Sequence, residues 1–138
     1  MVHAGMTEKQ VGRMLEDEMI KLGSDRVAFP TISASGPNGS LPHAIPSDRV
    51  IQEGELLTLD FGARVNGYIS DMTRTIGFGK ISPELRELYE RVKVAQQMAL
   101  EAIRPGMRCS DVDTILSPFL TGKLPCIVAI IISPNEFT

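Results

Sequence analysis

Residues 56–78 read LLTLDFGARVNGYISDMTRTIGF, and the Asn66-Gly67 step in the middle of them decides the fold. Two runs rich in β-branched and aromatic residues flank that step. A type I′ turn needs positive φ at both central residues, which Asn followed by Gly supplies most readily. With a two-residue turn there, Val65 opposes Tyr68, Asp60 opposes Thr73 and Asp71 opposes Gly62. Side chains alternate along a strand. One face of the hairpin then carries Thr58, Asp60, Gly62, Arg64, Ile69, Asp71, Thr73 and Thr75. The other carries Leu57, Leu59, Phe61, Ala63, Val65, Tyr68, Ser70, Met72, Arg74 and Ile76, and its apolar character predicts a core face.

The polar face holds two aspartates as diagonal cross-strand neighbours, roughly 7–8 Å apart at Cα. Like charges so close are destabilising unless something positive lies between them. Two carboxylates among threonine hydroxyls suit a hard divalent cation. Solvation on an open face, or neutralisation by Arg64 and Arg74, is the alternative.

Working outward toward the N-terminus, Thr7-Glu8-Lys9-Gln10 has the capping-box pattern. Val11, Met14, Leu15, Met19 and Leu22 follow at helical spacing, with Gly23 as a stop. The methionines there read as core filler, and Glu16, Asp17 and Glu18 as a solvated face. Residues 27–35 read as a strand, with Pro30 pointing to an edge or a bulge. Gly36-Pro37-Asn38-Gly39 is turn chemistry. Ser40–Ser47, stiffened by Pro42 and Pro46, is a loop that holds His43, whose alternatives are an ordinary surface residue or a substrate-side group. Residues 48–55 are polar and turn-rich.

Beyond the hairpin, Gly77 and Gly79 end the sheet without forming a phosphate loop, since position 82 is Ser. Ser82-Pro83 pairs an N-cap with Pro at the first helical position. A long helix follows, with Leu85, Leu88, Tyr89, Val92, Gln96, Ala99 and Ile103 on one face, stopped by Pro105-Gly106. Ser110 and Asp113 open a second, shorter helix. The order of elements predicts an α+β fold, an antiparallel sheet with helices on one face.

Three motifs, ISASGPNGSLPHA at 32–44, LDFGA at 59–63 and GYISDMTRT at 67–75, occur with Asp60 and Asp71 eleven apart and His43 seventeen before Asp60. In that order and spacing they resemble the aminopeptidase P and prolidase branch of the pita-bread metallopeptidases, a family that includes methionine aminopeptidases and creatinase. The resemblance runs over about residues 5–115 and implies the first half of a pita-bread catalytic domain. It implies two divalent ions, Mn²⁺ first and Co²⁺ or Zn²⁺ as alternatives, held by two Asp, one His and two Glu. Asp60 and Asp71 match the two aspartate ligands. His43 matches a histidine that lies beside the substrate and is not a ligand. The remaining three ligands belong to the second half of the family fold, and no residue of this chain matches a further catalytic group. His3 is the only other histidine, so two of the five ligands are expected here and metal binding by this chain alone is expected to be weak.

The implied activity is hydrolysis of the N-terminal peptide bond of peptides, of Xaa-Pro aminopeptidase or dipeptidase type, with methionine aminopeptidase as the nearest rival. An inactive fragment, or a peptide- or protein-binding module of the same fold, is the alternative. Peptide is the expected partner. A net charge of −3 without a Lys/Arg cluster argues against nucleic acid. No apolar run reaches the ~18 residues of a membrane span, and no signal-peptide core precedes residue 10. Cys109 and Cys126 lack metal spacing and read as reduced thiols, with a bridge as the alternative, so the compartment expected is the cytoplasm.

From Ser117 the text changes: residues 117–138 hold only Lys123 and Glu136 as charges, and Pro118 interrupts the helix. This separates a domain at 1–116 from an atypical apolar tail at 117–138. The tail reads as a product of truncation or a changed frame, or else as a buried strand. Its run Ile127–Ile132, uncharged and β-prone, together with open sheet edges, predicts self-association.

Overall fold

The computed structural model describes residues 1–108 together with Ser110, Asp111 and Thr114. The expectations for the rest of the second short helix, for Cys109 and Cys126, and for the tail 117–138 lie outside the described residues.

Helix α1 spans Glu8–Lys21. Its start is the predicted capping box: the Gln10 backbone N–H donates to Thr7 Oγ1 at 3.2 Å, and Thr7 N–H donates to Gln10 Oε1 at 2.8 Å. Gly23, at φ 102°, takes the left-handed conformation that ends the helix. Only the first part of α1 reaches the core. Val11 is buried and Leu15 packs against the same cluster, whereas Met14, Ile20 and Leu22 are exposed.

The strands are β1 (Arg26–Val27), β2 (Ile32–Ser35), β3 (Leu56–Phe61), β4 (Ala63–Val65), β5 (Tyr68–Ile69) and β6 (Met72–Gly77). They form two three-stranded antiparallel sheets, β1-β4-β5 and β2-β3-β6. The turn is the predicted one, with Asn66 at φ 52° and Gly67 at φ 85°. Val65 pairs with Tyr68 and Asp60 with Thr73, as the two-residue turn requires.

The single continuous hairpin, however, is corrected to two ladders that meet at a kink. At the kink Ser70 N–H donates to Ala63 O at 2.9 Å, but Ala63 N–H donates to the Ser70 hydroxyl instead of a carbonyl. The Ser70 carbonyl leans over Gly62, where a Cβ would lie 2.0 Å from it. Gly62 is therefore a close-approach glycine. The partner strand breaks at the same level: Val27 pairs with Ala63 but Ile32 with Asp60, so residues 28–31 face only residues 61 and 62. Pro30 sits in that bulge.

The core lies on the predicted apolar face, but only before the kink. Leu57 and Leu59 are buried with Val11 and Ile51, and Phe61, Ile76 and Phe78 pack around them. Val65 and Tyr68 beyond the kink are exposed, Tyr68 at 83%, as is Met72 opposite Phe61 at the last pair before it, so the core face expected along the whole hairpin stops at Phe61. Ile51, read as part of a polar turn segment, is 1% exposed and belongs to the core. The opposite face is covered near Ala34 and Thr58 by a 3-10 turn over Gly36–Ser40.

Helix α2 spans Pro83–Ala102 and is capped as predicted, with Leu85 N–H donating to Ser82 Oγ at 3.2 Å. It buries the stripe Tyr89, Val92, Ala95 and Ala99. Antiparallel strands with two helices make the α+β class expected from the sequence. No helix among the described residues is long and apolar enough to cross a membrane.

Candidate metal centre

Asp60 stands near the end of β3, half-buried, and its register partner is Thr73 on β6. The Thr73 hydroxyl donates to Asp60 Oδ1 at 2.8 Å, which orients the carboxylate and leaves Oδ2 for another partner. Asp71 is exposed and sits one residue before β6. Alternation carried one residue back from Met72 gives Asp71 the face of Thr73 and Asp60. Arg74, considered as a neutraliser of the aspartates, lies opposite Leu59 on the other face and donates to the Thr73 carbonyl at 2.8 Å.

The donor chemistry of this face fits a hard cation. Its oxygen donors are two carboxylates and threonine hydroxyls, and Arg64, paired with Ile69 beyond the kink, shares the face. Thr75, two residues beyond Thr73, is buried with its hydroxyl unpartnered among the described residues. The fit is that of part of a site, since no group of three or more His, Cys, Asp or Glu comes together among the described residues.

His43 is exposed and sits on the loop that follows the 3-10 turn. A tight turn surrounds it, with Ala44 N–H donating to Leu41 O at 3.3 Å. No hydrogen bond links it to Asp60 or Asp71. The fold thus brings the two aspartates to one hairpin and leaves His43 on a separate loop.

The loop has an anchor that sequence reasoning missed. Glu8, read only as the second residue of a capping box, is fully buried at 0% exposure. Its Oε1 accepts from Ser35 N–H at 2.7 Å, Ser35 Oγ at 2.9 Å and Asn38 Nδ2 at 3.1 Å. Its Oε2 accepts from Ser47 Oγ at 2.7 Å, Ser47 N–H at 3.1 Å and Asn38 Nδ2 at 3.2 Å. Burial alone pushes the Glu8 carboxyl up, but the hydrogen bonds from Ser35 and Ser47 outweigh it and hold the group below the usual glutamate range.

A second layer supports the first. Arg49 Nη1 donates to Ser35 Oγ at 2.6 Å and to Glu55 Oε2 at 2.8 Å, and Nη2 pairs with the other Glu55 oxygen. The Arg49 hydrogen bonds lead the causes that lower the Glu55 carboxyl, against a smaller upward push from burial. The one signal for this cluster in the sequence was the density of Ser, Asn and Gly between residues 33 and 47, which reads equally well as ordinary turn chemistry.

Comparison with known proteins gives the family and the fold. The family model described as metallopeptidase family M24 matches residues 1–127. An Xaa-Pro dipeptidase from Pyrococcus furiosus is 43% identical over 111 residues, which cover 80% of this chain and 32% of that protein. An uncharacterized peptidase from Bacillus subtilis is 41% identical over 119 residues, 86% of this chain and 34% of that protein. Among solved structures, the X-Pro aminopeptidase from Thermotoga maritima superposes with a TM-score of 0.83 at 39% identity, covering 86% of this chain and 34% of that one. The prolidase from Pyrococcus furiosus superposes with a TM-score of 0.81 at 40% identity, covering 86% of this chain and 35% of that one. The chain therefore spans about a third of the length of the proteins it matches.

Proposed function

The chain belongs to metallopeptidase family M24, with the pita-bread fold of its structural neighbours, and from that premise we propose that it supplies part of a dinuclear metallopeptidase site of Xaa-Pro aminopeptidase or dipeptidase type. Asp60 and Asp71 are the metal ligands it contributes, and His43 stands beside the substrate. The observation that carries this reading is the pairing of Asp60 on β3 with Thr73 on β6, two residues beyond Asp71.

When bound, divalent ions (Mn²⁺ first, Co²⁺ or Zn²⁺ as alternatives) lower the pKa of water and stabilise charge developing on a carbonyl oxygen. The chain's own residues prepare for this. Thr73 fixes one oxygen of Asp60 so that the other points consistently. Asp71, just before the returning strand, adds a second carboxylate without a competing ion pair among the described residues. The imidazole of His43, in its neutral form, donates a hydrogen bond to a peptide carbonyl, and Pro42 and Pro46 limit the freedom of the loop that carries it. Self-association through outer strands belongs to the same reading, because β2 and β6 flank one sheet and β1 and β5 the other.

Calorimetric titration with Mn²⁺, on the wild-type chain and on Asp60→Asn and Asp71→Asn, tests the proposal. Weak uptake is expected, because two carboxylates leave most of about six positions to water, and each substitution is expected to abolish it. Cleavage of an Xaa-Pro peptide by the chain alone is expected to be slow. Uptake that survives both substitutions removes the assignment. Peptide binding without metal uptake favours the non-catalytic module instead.

A further inference from the structure

We propose that Glu8 is a positioning residue for the His43 loop, a single buried carboxylate that clamps both ends of the segment between β2 and Arg49. The inference rests on the reading of His43 as a substrate-side group. One oxygen of Glu8 holds Ser35, where the segment leaves β2, and the other holds Ser47, where it returns. Asn38 donates to both oxygens and ties the 3-10 turn to the same point. The first turn of α1 adds backbone bonds to the returning end, Glu8 N–H to Arg49 O and Lys9 N–H to Ser47 O, each at 3.1 Å.

The chemistry requires a carboxylate. Every side-chain partner of Glu8 is a donor: two backbone N–H groups, two hydroxyls and an amide NH₂. A carboxylate accepts on both oxygens. A glutamine of the same shape accepts on one side only, and its NH₂ group then confronts the backbone N–H of Ser35 or of Ser47, whichever it faces, and the Asn38 NH₂. Glu8→Gln thus opposes one end of the loop while sparing the other. His43 is solvent-exposed and makes no side-chain hydrogen bond of its own in the described structure, so its placement depends on the ends of its loop. Glu8 is too deeply buried to meet a substrate, which makes it a positioning group and not a catalytic one.

The test uses the full chain as wild type, Glu8→Gln, Ser47→Ala and Ser47→Thr. Amide hydrogen exchange is read across residues 36–48, and the His43 ring signal is followed by NMR with His3 as internal control. Glu8→Gln and Ser47→Ala are expected to accelerate exchange at Ser47 and its neighbours about tenfold or more relative to the β3–β6 ladder. Both are expected to shift or broaden the His43 signal while His3 stays put, and Ser47→Thr, which keeps the hydroxyl, is expected to restore it. Unchanged loop exchange and an unchanged His43 signal in Glu8→Gln overturn the proposal. Should Glu8→Gln fail to fold, the contrast between Ser47→Ala and Ser47→Thr decides it the same way.

Titration with the dipeptide alanyl-proline reads the premise separately. A His43 shift in the wild type that is lost in Ser47→Ala supports the proposal. A wild-type His43 that does not respond removes the substrate role on which it rests, whatever the loop exchange shows.

Discussion

Two regions of this molecule use carboxylates in opposite ways. Beneath the His43 loop, Glu8 is buried and its two oxygens are saturated by donors from Ser35, Asn38 and Ser47. On the hairpin, Asp60 keeps one oxygen out of its single bond with Thr73, and Asp71 is left exposed. A buried carboxylate survives only when hydrogen bonds replace its lost hydration. Two carboxylates on one sheet face, Asp60 half-buried and Asp71 exposed, carry a mutual repulsion that a single bond from Thr73 does not offset. The difference separates a carboxylate that serves the fold from the pair to which we assign a metal ion.

Removing the buried member has the largest expected effect. Glu8→Ala strands buried donors at both ends of the loop, each costing about 1–3 kcal/mol when it stays dry. Because the loop relaxes and admits water, we expect a net loss of about 3 kcal/mol, measured by urea unfolding. A loss below about 0.5 kcal/mol, the range of ordinary surface changes, breaks the comparison at its strong end.

Acid sharpens the same contrast. The folded-state pKa of Glu8 lies below its unfolded value, so its contribution is fully present above the ordinary glutamate range and is lost as pH falls through the folded-state value. Glu55, lowered mainly by its bond to Arg49, adds in the same direction and is only partly buried. Stability should therefore fall as pH drops below the ordinary glutamate range, and Glu8→Gln should flatten that fall. A pH profile of unfolding free energy that is identical in Glu8→Gln and wild type assigns the acid sensitivity elsewhere.

How much of this could be read from the sequence follows from the range of the interactions involved. The Asn66-Gly67 turn, the Thr7 and Ser82 caps and the Asp60–Thr73 register are local or follow from a local turn, and all stand as expected. The kink is not local. It needs the Ser70 carbonyl over Gly62 and residues of the β1–β2 bulge beneath it, Phe29 and Ala28 among them. Burial of Glu8 depends on Ser35 and Ser47, 27 and 39 residues away. A glutamate in the first turn of a helix reads as a favourable charge near the helix dipole, and nothing nearby marks it as interior. Ile51 was missed for a related reason: its flanks are polar, and the backbone bonds that bring it under α1 come from Gly5 and Met6. The metal ligands we propose rest on register and family resemblance together, since spacing alone favoured solvation or neutralisation by arginine.

Gly62→Ala probes the kink within the hairpin and ranks next. Its Cβ would meet the Ser70 carbonyl at 2.0 Å, Phe29 at 2.8 Å and Ala28 at 3.0 Å. Backbone cannot yield as a flexible side chain does, so we expect about 1–3 kcal/mol of destabilisation, the range for overpacking. Because Gly62 lies between Asp60 and the kink, Mn²⁺ uptake should weaken in the same variant even at temperatures where it is folded. Full uptake with full stability would show that the kink does not set the spacing of the aspartates.

The smallest expected effect on stability is the one that defines the open side of the comparison. Asp71 makes no hydrogen bond or ion pair among the described residues, and it is exposed. Asp71→Asn removes a negative charge near Asp60 without removing a contact, so unfolding free energy should change by less than about 0.5 kcal/mol, in the direction of a slight gain from relieved like-charge repulsion. The same substitution takes away one of the two carboxylates this face offers a cation among the described residues, so the response to Mn²⁺ should vanish while the fold stands. Paired measurements of thermal unfolding with and without Mn²⁺ read both quantities at once, because a ligand that binds only the native state raises its stability. A variant that loses stability without metal would place Asp71 in the structural class with Glu8. A variant that keeps the metal-induced shift would leave Asp60 as the sole ligand on the hairpin.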